Sequence, residues 1–93
     1  MKTVVIQIGN SDNKLTQADW SSYCFLIRAA ILRYAETVHF SGFSLPDAAW
    51  QNACYVAEFE ESTVVLFKSQ VEELRKQFRQ ESVAWLEGET TFV

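Results

Sequence analysis

Proline, glycine and histidine are scarce in this sequence, which has one proline, three glycines and one histidine among its 93 residues. So little Pro and Gly, without any low-complexity tract, argues against a disordered chain. No apolar run approaches the roughly 18 residues of a membrane span, and the first residues lack the cleavage site of a signal peptide. We therefore expect a single folded domain over residues 1–93, located in the cytoplasm and without a membrane partner.

Residues that would hold a metal or a cofactor are also missing. The two cysteines, Cys24 and Cys54, lie in apolar segments, without a C-x-x-C spacing and without a neighbouring histidine. Such thiols are typically reduced and buried, where they pack as small hydrophobic residues. Together with the single histidine they do not make a zinc set. We expect no metal and no cofactor.

The charge balance favours a protein partner over a nucleic acid. The net charge is −4, and the eight basic residues are spread along the chain, apart from Arg75, Lys76 and Arg79. Direct binding of nucleic acid depends on clustered Lys and Arg that contact phosphates. An acidic chain of this kind fits a basic protein surface better, including one that itself binds nucleic acid, or else a small ligand.

Six segments carry the patterns of regular structure. Four runs have the composition of strands, and two longer runs repeat apolar residues at helical spacing. The strands are predicted at 3–8, 37–41, 50–59 and 82–87, with one helix after the first and one after the third. The order β-α-β-β-α-β is the split β-α-β pattern. It predicts an α+β, ferredoxin-like sandwich, in which an antiparallel sheet of order 4-1-3-2 carries both helices on one face.

The first helix has a clear start and one unassigned surface. Thr16 is predicted to cap it, with Asp19 in the place of the capping-box acid. Its buried stripe recurs at helical spacing: Trp20, Cys24, Ile27, Ile31 and Tyr34. Phe25 and Leu32 lie about 120–140° away from that stripe. Either the helix is buried over a wide arc, or these two side chains face a partner.

The second helix has two candidate starts. Ser62 could cap a helix whose first turn is 63–66. Alternatively, Ser69 and Glu72 form a capping box, and 63–67 becomes a short extra strand. We favour the first start, because it gives a helix long enough to cover the sheet.

The predicted topology brings three loops together at one edge of the sheet: 9–15, 42–49 and 79–81. The first loop contains the most polar stretch of the chain: Asn10, Ser11, Asp12, Asn13 and Lys14. Backbone N–H groups at the following helix start could hold an anion, with Lys14 adding charge, although Asp12 would repel it. The alternative is a loop stabilised by the turn chemistry of Asn and Asp.

The sheet face without helices is the second candidate surface. His39 is expected on it, because His39 alternates with Val38 and Phe40, which we place in the core. Trp50 joins His39 if the alternate residues of the third strand face the helices, and Trp85 would flank them. Exposed aromatic residues on such a face are typical of an interface with a second subunit or another protein.

A homodimer of the α+β-barrel type would enclose a pocket between two such faces, lined by His39, Trp50 and Tyr55. His39 could act there as a general base. However, no Ser, Cys or carboxylate can be paired with His39 from the sequence alone.

Acidic residues cluster at the opposite edge of the predicted sheet. Glu58, Glu60 and Glu61 surround one turn, and Glu87 and Glu89 lie near the end of the chain. They form either a solvated rim that aids solubility or a patch that docks on a basic surface, where complementary charge speeds association.

Three stretches resemble segments of small uncharacterised proteins from bacteria and their phages: 8–17 (IGNSDNKLTQ), 50–53 (WQNA) and 82–89 (SVAWLEGE). The resemblance implies an origin in a phage or a mobile element, and it transfers no catalytic residue. Small acidic proteins of that origin, anti-CRISPR proteins among them, inhibit host defence complexes by covering a nucleic-acid-binding or subunit-binding surface.

We therefore expect a small acidic protein-interaction module rather than an enzyme, of the kind that inhibits a bacterial defence complex of the CRISPR type. Its partner-binding residues would be the five clustered acids together with Phe25, Leu32, Trp50 and Trp85. The alternative is the dimeric α+β barrel, a small-molecule binder or enzyme that uses the open sheet face.

Overall fold

The computed structural model describes residues 1–10, 12–45 and 47–93, and its elements follow the predicted order. They are β1 (Lys2–Gly9), α1 (Gln17–Tyr34), β2 (Thr37–Phe43), β3 (Asn52–Phe59), α2 (Glu61–Gln77) and β4 (Ala84–Gly88). The strands form one antiparallel sheet in the order β2-β3-β1-β4. The predicted ferredoxin-like sandwich is confirmed, including its strand order.

The core lies between the sheet and the two helices. On β1 every second residue is buried, namely Val4, Ile6 and Ile8, and on β3 the buried residues are Ala53, Tyr55, Ala57 and Phe59. The pairing of β1 with β3 places these two sets side by side on the same face. Successive side chains of a strand point to opposite faces, so one face of the sheet contributes to the core and the other carries no helix.

Helix α1 begins as predicted. The Thr16 side chain caps it and accepts a hydrogen bond from the Asp19 backbone N–H at 3.1 Å. Of the predicted stripe, four residues are buried and Tyr34 is half-buried. Phe25 and Leu32 are 69 % and 62 % exposed, which excludes the wide buried arc and leaves both side chains on the outer surface.

Residues 63–67 are helical, as favoured, and form no extra strand, but α2 begins before the predicted Ser62 cap. Its first residue is Glu61 and its N-cap is Glu60 rather than Ser62. Phe67 faces the sheet and stacks on Phe59, with ring centroids 4.5 Å apart. Arg79 adopts a left-handed φ of 58° that ends the helix. Among the described residues, neither helix is long and apolar enough to span a membrane.

Three strand boundaries differ from the predicted ones by two residues. β2 continues to Phe43, β3 begins at Asn52 instead of Trp50, and β4 begins at Ala84 instead of Ser82. Each boundary coincides with the end of pairing to a neighbour, since Asn52 lies opposite Gly9, the last residue of β1. Strand ends are therefore set by the partner strand, which the local sequence pattern does not contain.

A bulge in β2 overturns one prediction about the core. The register shifts between Val38 and Phe40, so Val38 lies opposite Ala57 and Phe40 lies opposite Val56. Because a bulge adds one unpaired residue, it changes the face on which the following side chain emerges. Phe40, predicted in the core, instead lies on the helix-free face and is 55 % exposed.

Tyr23 gives a test of the core. It is completely buried and stacks on Phe78 at 4.9 Å, yet its hydroxyl has no hydrogen-bond partner within the described ranges. Replacing Tyr23→Phe should raise the free energy of unfolding by about 1 kcal/mol, because a buried unsatisfied hydroxyl is lost. The midpoint and slope of urea unfolding would measure the change.

The matched control for that test is Tyr55→Phe. The Tyr55 hydroxyl donates a hydrogen bond to the Cys24 carbonyl at 3.4 Å, so its removal should lower the stability. An equal loss in both variants would contradict the account of Tyr23.

Candidate functional site

The helix-free face of the sheet carries a row of apolar side chains that crosses all four strands. Its members lie opposite one another in the register, and we call them the apolar row: Phe40 on β2, Val56 on β3, Val5 on β1 and Leu86 on β4. The two central members are half-buried, whereas Phe40 and Leu86 at the ends are 55 % and 67 % exposed. Exposed apolar groups that are continuous across a sheet are typical of an interface.

Two further rows flank the apolar row. The upper row, toward the 10–16 loop, consists of Gly42, Cys54, Gln7 and Ala84. The lower row, toward the opposite edge, consists of Thr37, Glu58, Thr3 and Gly88. The Phe40 ring leans over the upper row, because a Cβ added at Gly42 would lie only 2.6 Å from the ring. Glycine at this position therefore lets the aromatic ring lie flat on the sheet.

A polar cluster of His39, Glu58 and Thr3 lies at the lower end of the same face. The His39 Nε2 is 3.6 Å from one carboxylate oxygen of Glu58, and the Thr3 hydroxyl donates to the other at 3.5 Å. The prediction that His39 lies on the helix-free face is confirmed. Its carboxylate neighbour could not be found from the sequence, because the two residues meet only through the pairing of β2 with β3.

The pocket predicted from His39, Trp50 and Tyr55 is not assembled. Tyr55 is buried on the opposite face, under α1. Trp50 precedes β3 at the upper end and is 55 % exposed, whereas His39 lies beside Glu58 at the lower end. The three side chains therefore do not line one space.

Trp85 does not flank the helix-free face either, which corrects a second prediction. It lies opposite Ile6 on the helix side, with its ring 5.6 Å from that of Phe67 and the Lys68 ammonium 5.2 Å from its centre. Its indole N–H donates to the Glu87 carboxylate at 3.2 Å. Trp85 thus closes the edge of the core between α2 and β4.

The polar loop after β1 is held by its own turn chemistry. The buried Asn10 side chain donates to the Leu15 carbonyl and accepts from the Leu15 N–H, each at 3.0 Å. Asn13 adopts a left-handed φ of 55°, and Lys14 lies 3.6 Å from Asp12. Asp12 neutralises the lysine that would attract an anion. Ser11, the remaining predicted member of this loop, lies outside the described residues.

Two of the three loops predicted to meet, 9–15 and 79–81, border one cleft at this upper edge. A cleft of about 440 Å³ is bordered by β1, the polar loop and the 80–82 segment, with lining residues that include Gly9, Lys14, Asn52 and Glu81. Its described walls mix acidic, basic and amide side chains.

The acidic edge is the lower rim of the molecule, formed by Glu58, Glu60, Glu61, Glu87 and Glu89. Glu58 and Gly88 lie opposite Thr3 on either side of β1, so the end of β3 and the end of β4 meet at the same rim. Glu60 and Glu61 begin α2 directly beside it. Across the described ranges, no group of three or more His, Cys, Asp or Glu residues could hold a metal ion.

Comparison with known proteins identifies the fold class and nothing narrower. No protein-family model matches the chain, and no curated protein matches it. Among solved structures, the chain is similar to a dimeric ferredoxin-like protein of unknown function from Thermobifida fusca, with a TM-score of 0.63 and 10 % sequence identity. The match covers 95 % of this chain and 90 % of that one. At this identity the likeness shows the fold alone.

The stability of the fold should depend on pH through three buried side chains: the thiol of Cys24 and the phenols of Tyr23 and Tyr55. Burial raises the pKa of Cys24 to about 11 and that of Tyr23 to about 12, and it also raises the pKa of Tyr55. In the unfolded chain these groups lose protons from their ordinary values of 9.0 and 10.0. The unfolded state then binds fewer protons than the folded state, so stability should fall as the pH rises above about 9.

Urea unfolding at a series of pH values would measure this fall. Cys24→Ala is the control, since it removes the first group to ionise and should flatten the curve between about pH 9 and 10. A stability that stays constant up to pH 11 would contradict the assignment.

Proposed function

We propose that the protein is an interaction module that works as a homodimer, with the helix-free faces of two sheets packed against each other. The apolar row carries this proposal. In the isolated chain, the apolar side chains of Phe40 and Leu86 are 55 % and 67 % exposed to water. Burial of apolar surface stabilises by about 25 cal/mol per Å², so a partner that covers the row gains from both residues.

The charge distribution favours a second copy as the occupant of this face. Each chain carries a net charge of −4, so two copies repel wherever their acids meet. The apolar row is uncharged, and the one carboxylate on the described face, that of Glu58, lies beside His39. A basic partner would find little to bind on this face, whereas a second copy meets it without repulsion. The dimeric state stated for the Thermobifida fusca protein of the same fold supports self-association as such.

Two helix-free faces packed in this way correspond to the α+β-barrel type of dimer, which encloses small molecules when its sheets splay apart. The polar cluster beside the apolar row would supply hydrogen-bonding groups to such a molecule. A small-molecule binder of this type would therefore act through His39 together with Glu58 and Thr3. Trp50 and Tyr55, the other two residues of the predicted pocket, would not take part.

Phe40→Glu should convert the dimer to a monomer, because a carboxylate at the end of the apolar row would be buried against the partner. Multi-angle light scattering over a concentration series that brackets the micromolar range would measure the mass. The matched control is Phe25→Glu, which changes an exposed phenylalanine on α1 and should leave the dimer intact.

Either of two results would remove the proposal: a wild-type chain that is monomeric at every concentration, or a Phe40→Glu variant that remains dimeric. Alkylation of Cys54, which lies next to the apolar row on the same face, gives an independent readout. In the wild-type chain it should be slower at concentrations where the chain is dimeric than at concentrations where it is monomeric.

A second candidate function uses the acidic edge, whose four outer acids lie outside the apolar row and the two rows that flank it. We infer that this edge docks on a basic protein surface, as an inhibitor of a nucleic-acid-binding defence complex of the CRISPR type would. Among the described residues, none of its four outer acids takes part in a salt bridge: Glu60, Glu61, Glu87 and Glu89. Unneutralised carboxylates at one rim are available to Lys and Arg of a partner.

The double variant E60K/E61K tests the second function against a purified CRISPR-type effector. Wild-type protein should reduce the binding of DNA by the effector, less so at higher salt, and the variant should lose most of that inhibition. E72K/E73K is the matched control, because it makes the same charge change on the exposed outer side of the same helix. No inhibition by the wild-type chain, or equal loss in both variants, would exclude docking through this edge. Circular dichroism checks that both variants fold.

A further inference from the structure

The negative charge of the chain is unevenly distributed along the strand direction. The acidic edge gathers five carboxylates where β1 begins and where β3 and β4 end. At the opposite, upper edge acidic and basic side chains balance in number. Lys14 lies 3.6 Å from Asp12, and Arg79 lies 4.0 Å from Asp19. Arg75 and Lys76 in the last turn of α2 offset Asp47 and Glu81. The net charge therefore resides mainly at one end of the sheet.

We propose that the two copies of the dimer meet with their strands antiparallel, related by a two-fold axis that runs along the apolar row. This inference rests on the proposed homodimer and specifies its geometry. Each strand then lies over the same strand of the partner in the opposite direction. The apolar row packs against itself, and each acidic edge lies over the upper edge of the other copy.

Electrostatic repulsion selects this axis over the alternative. A two-fold axis parallel to the strands would also pack the two rows together, but it would place both acidic edges side by side, ten carboxylates in all. Strands of eight residues extend about 26 Å, so the antiparallel arrangement separates the two acidic edges by more than the Debye length of about 8 Å at physiological salt. Like charges in direct opposition cost binding energy that this arrangement avoids.

Distance measurement between spin labels tests the orientation while leaving the apolar row unchanged. A nitroxide on E60C in a Cys54→Ser background labels the acidic edge, while the buried Cys24 stays unlabelled. Glu60 lies four residues beyond Val56, so the antiparallel dimer should place the two labels about 28 Å apart. An axis parallel to the strands would place them about 10–12 Å apart, at the spacing of packed sheets.

Pulsed electron paramagnetic resonance reads the long distance, and dipolar broadening of the continuous-wave spectrum reads the short one. A distance near 28 Å supports the proposal, and broadening in its place overturns the orientation while leaving the homodimer intact. If no distance between chains is observed and the labelled protein is monomeric by light scattering, the homodimer itself fails. Adding Phe40→Glu to the labelled chain is the control, since it should abolish the distance by separating the copies.

Discussion

The register between β1 and β3 is the constraint on which the rest of the molecule depends. Eight consecutive pairings, from Lys2 with Phe59 to Gly9 with Asn52, bring the two buried sets onto one face. A slip of one residue would move every core side chain of β1 to the other face. The same register that builds the core also aligns Val5 with Val56, and it thereby creates the centre of the apolar row.

The helix-free face is a consequence of covering a four-stranded sheet with only two helices. Both helices pack on the same side, because right-handed crossovers place them there. The other side then keeps whatever residues alternate with the core. In this chain these include apolar side chains on all four strands, and the bulge in β2 adds Phe40 to them. A surface with such a row is suited to pairing with another protein surface.

Packing and charge divide the functional surfaces between two regions. The apolar row is uncharged and lies at the middle of the sheet, where a second copy can cover it. The acidic edge lies at the rim, where its four outer carboxylates lie outside the rows of the helix-free face. Glu58 belongs to both regions, because it lies at the acidic edge and its carboxylate also lies on the helix-free face, beside His39. A module with this layout can self-associate through one surface and dock through another.

Local patterns in the sequence determined the element order, the Thr16 cap of α1 and the buried stripes. For Phe25 and Leu32 they left two alternatives, burial or exposure, of which exposure is the correct one. These features depend on residues within a few positions of one another. Val5 and Val56 could likewise be placed opposite the core from simple alternation. The topology further implied that the acids would share one edge, since it fixes which strand ends meet.

Only the tertiary structure decided the rest. The bulge at His39 and Phe40 depends on how β2 pairs with β3, and it sends Phe40 to the face that its alternation excluded. The contact of His39 with Glu58 joins residues 19 positions apart, and Trp85 takes its place against Phe67 because α2 covers β4. Each of these outcomes depends on contacts between distant segments, which a local pattern does not encode.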